Sequence, residues 1–207
     1  MRLAFLSIGR HIHTERWIRW FAARGHDCHL LTVQPGPVDG VTVHDITSDV
    51  PTKPLRYWRS LGQVKALLDR LQPDLLNTHF LTGYGYWGNW SGFRPNVLTV
   101  WGDDVYVTPF ENPLKGWLAR RALAACDALT GDSTDILEVA CTRLGARPDR
   151  SFRVPWGGDH EAFAPRDGLG PPADVKAVAP GLAADNAMFV GHLPHLSKLA
   201  AHIITGD

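Results

Sequence analysis

The chain has 207 residues, 44% of them hydrophobic and 20% charged, a composition that can bury a real core and allows one domain with an extension. Its 21 basic and 21 acidic side chains cancel, so the overall charge carries no footprint of nucleic acid or anionic lipid as a partner. The start, MRLAFLS, meets charge too soon for a signal peptide, and no apolar run approaches the ~20 residues that span a bilayer. Arg2 to Ser7 is a nearly continuous apolar run, the pattern of a strand buried on both faces of a parallel sheet. A loop, Ile8-Gly9-Arg10-His11, leads to a helix expected to be capped by Thr14. Trp17, Ile18, Phe21 and Ala22 make its apolar face, and Gly25 is its stop.

Asp27 to Val33 and Val41 to Ile46 read as further strands. Leu55 to Leu71 is helical and closed by Pro73, and a strand follows over Asp74 to Thr78. Beyond it come a strand over Asn96 to Trp101, a helix over Leu114 to Ala125 and a strand over Asp127 to Gly131. A helix over Thr134 to Leu144 and a strand over Ser151 to Pro155 complete the series. Strands alternating with helices predict an α/β fold, a Rossmann-like doubly wound parallel sheet. Pro165 to Pro172 (PRDGLGPP) reads as a linker, and a short βα extension is expected after it. Cys28, Cys126 and Cys141 lack metal spacing and read as reduced, which suits the cytosol.

A parallel sheet places ligands beyond the carboxyl ends of its strands. Gly9 and Arg10 follow the first predicted strand, in the loop where a helix N-terminus aims N–H groups at a ligand. That loop holds no Gly-x-Gly-x-x-Gly, which argues against a dinucleotide. His79 follows another strand end, where a binding role and a structural one are equally open. Trp101-Gly102-Asp103-Asp104 follows a third, and Gly102 allows close approach of backbone or substrate. Asp103 and Asp104 point apart on an extended segment and have no apparent third ligand, so no metal is expected. Ser133 follows a fourth strand end and is expected to cap the next helix.

Five stretches in order, HTERWIRWFAARGHDCHLLT, PDLLNTHFLTGYG, LTVWGDDVYV, CDALTGDSTDILEVA and FRVPWGGDHEAFAP, resemble the N-terminal half of the GT-B glycosyltransferases of family four. The resemblance covers residues 1–166 and implies an acceptor-side domain. It implies metal-free retaining transfer of a sugar from a nucleotide-sugar donor to a hydroxyl of a sugar, glycan or lipid, with no cofactor. Asp104 matches the family's aspartate, which implies a part in orienting the acceptor or the reaction-centre loop. His79 is the second catalytic candidate, and Gly9, Arg10, Gly102 and Ser133 are candidates for substrate binding. Trp101 stands where many relatives carry a histidine, so a catalytic histidine does not transfer to that position. Gly157, Gly158 and Asp159 match the family's crossing into its second, donor-binding domain.

Residues 167–207 are too few for that second domain. They resemble instead an internal segment of the phosphohistidine phosphatases, with VGHLPHLSKLAAHIITGD setting His192 on the second active-site histidine. Gly9-Arg10-His11-Ile12 echoes that family's nucleophile motif but carries Ile12 where the glycine belongs, and no arginine follows residue 170. His192 is therefore expected to be non-catalytic. The chain reads as an incomplete glycosyltransferase awaiting a donor-domain protein. A non-catalytic module that binds a sugar or a partner is the alternative, and a phosphatase-like protein ranks third. The expected location is the cytoplasm, including the inner face of its membrane as a peripheral protein.

Overall fold

The structure, a computed structural model, describes residues 1–155. The expected linker, the βα extension, Gly157, Gly158, Asp159 and His192 lie outside these residues. Seven strands form one parallel sheet: β1 Arg2–Leu6, β2 Asp27–Thr32, β3 Val41–Asp45, β4 Leu75–His79, β5 Asn96–Thr99, β6 Ala128–Gly131 and β7 Ser151–Arg153. Their spatial order is β3-β2-β1-β4-β5-β6-β7. All seven are expected from the sequence, and the fold is Rossmann-like α/β.

Helices α1 (Ile12–Ala22), α2 (Lys53–Leu71), α3 (Tyr84–Ser91), α4 (Asp103–Tyr106), α5 (Pro113–Ala125) and α6 (Thr134–Leu144) connect the strands. Alternation along β1 shows how they are layered. Leu3 and Phe5 join Cys28 and Leu30 under Ile18, Trp17 and Phe21 of α1. Ala4 and Leu6 face the other way, into a cluster with Leu61, Val64 and Leu68 of α2 and Tyr84 and Trp87 of α3. Leu98 and Leu129 extend that second face beneath α3, α5 and α6. One helix therefore covers one face and a layer of helices covers the other, as right-handed crossovers require when the chain runs leftward from β1 and rightward through β4. The direction of winding reverses between β1 and β4, so their carboxyl ends border the crevice that such sheets open to ligands.

Asp103 and Asp104 open α4 rather than lie on an extended segment, and two further expectations need correction. Thr14 does not cap α1. His11 does, its ring Nδ1 accepting the His13 N–H at 3.3 Å. Thr14 lies inside the helix, fully buried, with its hydroxyl 2.7 Å from that of Ser7 at the end of β1. That buried partner on the sheet holds the hydroxyl more firmly than an exposed cap would. Second, the sequence pattern assigns no element to Tyr84–Ser91, which forms α3. Its Gly88 rides directly on β4, since a Cβ there would stand 2.3 Å from the Thr78 hydroxyl.

Candidate functional site

Three strand ends build one cluster of rings at the crevice. His79 closes β4, Trp101 follows β5, and His11 and His13 lie at the start of α1. The Trp101 ring is 4.7 Å from His11, 5.7 Å from His13 and 5.8 Å from His79, centroid to centroid. Trp17 meets His79 from the other side at 5.7 Å, edge to face.

Beneath the rings runs a polar ladder that fixes protonation. Trp17 Nε1 donates to Asn77 Oδ1 at 2.9 Å, and an indole nitrogen can only donate. The Asn77 carbonyl must therefore face it, and it also accepts from His79 Nε2 at 2.9 Å. Asn77 Nδ2 donates to Thr99 Oγ1 at 2.9 Å, and Thr99 meets Thr130 at 2.8 Å. His79 thus carries its proton on Nε2. Its Nδ1 is a buried acceptor with no hydrogen-bond partner among the described residues. Burial, and then the nearby charge of His13, pushes the imidazole down to about 3, so the ring is neutral.

Asp104 is fully buried. Oδ2 accepts the Leu81 N–H at 2.7 Å, and Oδ1 accepts those of Trp101 at 3.0 Å and Gly102 at 2.7 Å. Burial holds its carboxyl above the ordinary value, while these backbone donors pull the other way. Each charged bond of this kind contributes roughly 1.5–3 kcal/mol, so one side chain ties the loop after β4 to the loop after β5. Both loops adopt conformations that need such support. Phe80 sits at φ 72° and Gly102 at φ 150°. A non-glycine residue in the left-handed region costs about 1–3 kcal/mol. The Phe80 N–H donates to Thr99 O at 2.8 Å, and Phe80 O accepts from Gly85 N at 2.9 Å, which holds the turn.

Gly9 lies on the same edge, after β1. Its N–H donates to Thr32 Oγ1 at 2.9 Å, and a Cβ would come within 2.3 Å of Gln34 O. Only glycine fits. Arg10 is exposed, and its Nε donates to Pro35 O at 3.0 Å, which lays the side chain along the loop after β2. Ser133 follows β6 and caps α6, its hydroxyl accepting the Ile136 N–H at 3.3 Å. The structure therefore brings His79, Trp101, Gly102 and Asp104 into one unit with His11 and His13, while Arg10 and Ser133 engage their own loops. The sequence reading misses His11 and His13 as members of the site. The signal is present in His-x-His after a Gly-Arg loop, but the expected Thr14 cap leaves both outside the helix.

A parallel α/β sheet with a ring-lined crevice at its switch point defines the class as a Rossmann-like α/β domain. The glycosyl transferase 4-like family model matches residues 2–133, and the chain belongs to that family. No curated protein sequence matches the chain. Among solved structures it is similar to a sucrose-phosphate synthase from Thermosynechococcus elongatus, with TM-score 0.62 and 16% identity over 86% of this chain and 52% of that one. Anabaena HepE in complex with UDP-glucose gives TM-score 0.61 at 13% identity, over 90% of this chain and 50% of that one. UDP-GlcNAc 2-epimerase from Methanocaldococcus jannaschii gives 0.55 at 16%, over 74% of this chain and 45% of that one. The chain spans about half the length of these structures. Identities this low show the fold alone, and a synthase and an epimerase share it.

Proposed function

We propose that residues 1–155 form the acceptor side of a sugar transferase, and that a donor domain outside these residues brings the nucleotide-sugar. Family membership and the ring cluster at the switch point support this reading. The cluster carries it, because Trp101, His11 and His13 offer partly exposed faces at the carboxyl edge. Aromatic faces suit the apolar sides of a sugar ring, and imidazole nitrogens suit its hydroxyls. Asp104 and His79 act as positioning residues. Asp104 has no free oxygen to offer substrate and holds the two loops, while His79 forms a neutral floor under Trp101. Transfer with retention of configuration would place the acceptor hydroxyl against the donor's anomeric carbon. The domain's contribution is orientation and the exclusion of water. This reading calls on no metal.

Tryptophan fluorescence of the chain titrated with a panel of glycans and glycolipid headgroups tests the reading. At least one acceptor class should quench, and Trp101→Ala should weaken that binding at least tenfold. Nucleotide-sugars alone should bind no tighter than about 0.1 mM, equivalent to roughly 5.5 kcal/mol. Tighter nucleotide-sugar binding that Trp101→Ala leaves unchanged would show that this domain is the donor side.

A further inference from the structure

Away from the crevice, two histidines share one hydrogen bond. His29 of β2 and His44 of β3 lie on the α2 side of the sheet. Leu31, which packs in the α2 cluster, stands two residues beyond His29 and in register with His44. His29 Nδ1 is 3.1 Å from His44 Nε2. A neutral imidazole carries one N–H and one bare nitrogen, so this contact holds a single proton. The other nitrogen of His29, Nε2, lies 3.1 Å from Asp27 Oδ1 but is buried without an aligned hydrogen bond among the described residues. Folded proteins rarely leave such a nitrogen unsatisfied. Asp27 is itself anchored, because Arg2 Nε donates to its Oδ2 at 2.7 Å and Arg2 Nη1 donates to Leu71 O at 2.8 Å.

The charges around the pair are unevenly placed. The Asp27 carboxylate stands on the His29 side, while the Arg70 guanidinium of α2 acts on His44. Arg2 reaches the pair from β1 through Asp27. Asp74 accepts the Arg2 N–H, and Asp45 accepts the Thr47 N–H, so both acids serve their own neighbours. One added proton therefore has a place and a second has none. A proton arriving at Nδ1 of the half-buried His44 sends the shared proton from His44 Nε2 to His29 Nδ1. The charge then rests on His29, whose Nε2–H is drawn onto Asp27. Only N–H bonds form and break. A further proton would set N–H groups head to head across the 3.1 Å contact, beside Arg70.

We propose that His29, His44 and Asp27 form a pH-sensitive clasp, in which a first proton fastens β3 to β2 and a second releases the β3 edge. His44 is held below its ordinary value by burial first, and then by the charges of His29 and Arg70. The unfolded chain thus takes that proton at a higher pH than the fold does. The stability tied to His44 is complete above the ordinary histidine range and falls as pH drops below it. Release can be local, because β3 is an edge strand with β2 as its one neighbour in the sheet. The clasp uses none of the crevice residues and is independent of the transferase reading.

Nitrogen-15 histidine spectra of the full chain, taken from about pH 8 to about pH 5, read the site directly. His29 and His44 should both carry their proton on Nε2 at the start. The first step of the pair should turn His29 into imidazolium and move the His44 proton to Nδ1. As His44 then charges, amides of β3 should lose hydrogen-exchange protection while those of β4, compared at the same pH, keep theirs. Asp27→Asn should move the first step to lower pH by roughly half a unit or more, since the half-exposed carboxylate is partly screened. His44→Gln should make β3 protection independent of pH over this range. The order of charging is read in wild type, so the test stands even where a variant fails to fold. His44 charging before His29, no change of tautomer, an Asp27→Asn step that does not move, or β3 and β4 opening together would each overturn the proposal.

Discussion

At the level of single residues, the crevice stands on a histidine that does not titrate where histidines ordinarily do. His79 moves from 6.5 in the unfolded chain to about 3 in the fold, with burial as the main cause. Between those values the unfolded state binds the proton and the native state does not, so stability rises with pH across that window. Above 6.5 the residue contributes no pH dependence. At pH 5 the penalty is about 2 kcal/mol, because each pH step of one below 6.5 costs about 1.36 kcal/mol. His44, also held low by burial, adds in the same direction, whereas Asp104, held high, acts with the opposite sign above 3.8. The difference between wild type and His79→Gln isolates the one ring, because both other groups are common to the two proteins. Urea unfolding at pH 7 and pH 5 should show a loss in wild type that exceeds the loss in the variant by about 2 kcal/mol. Equal losses would mean that His79 is protonated in the native state.

Among the elements, α3 shows where a sequence is hard to read and why. Its run YGYWGNWS holds two glycines in eight residues, which local propensity reads as a loop. The contacts explain them. A Cβ at Gly85 would meet Phe80 O at 3.0 Å, and one at Gly88 would meet Thr78 Oγ1 at 2.3 Å and its methyl at 2.9 Å. The helix is weak in propensity but glycine-dependent in packing, and only the neighbouring strand reveals it. The strands were legible for the opposite reason: β1 is a nearly continuous apolar run, and β2 and β4, though they carry polar residues, are bounded by turn residues. The edge that carries the site was legible from order alone, because strand ends of one parallel sheet share an edge. The ring cluster was not, because its members come from a helix cap, a strand end and a loop far apart in sequence. Gly88→Ala should cost about 1–3 kcal/mol by overpacking. In a Thr78→Ala background the two closest atoms are gone and only the Thr78 Cβ contact at 3.1 Å remains, so the same change should cost at least about 1 kcal/mol less. Additive costs in a thermal or urea double-mutant cycle would rule out the Gly88–Thr78 contact as the reason for the glycine.

Across residues 1–155 as a whole, cooperativity follows from how the three core clusters share their members. β1 contributes Leu3 and Phe5 to one face and Ala4 and Leu6 to the other, so neither face opens without it. Tyr57 and Trp90 belong to the margins of both clusters on the α2–α6 face, and Leu75 and Leu76 continue the same division onto β4. A disruption at any one cluster therefore exposes apolar surface in the next, which is the condition for a single transition. The polar ladder Trp17–Asn77–Thr99–Thr130 adds a second tie across α1, β4, β5 and β6. Removing one partner would strand a buried donor or acceptor at about 1–3 kcal/mol. A protein ending at Pro155 should accordingly fold on its own and unfold in one step. Its urea midpoints by far-ultraviolet circular dichroism, which reports the helices, and by tryptophan fluorescence, which reports the packing of Trp17 on one face and of Trp87 and Trp90 on the other, should coincide. Two separated midpoints would mean that residues 1–155 do not unfold as one unit and that the shared members of the clusters do not couple them.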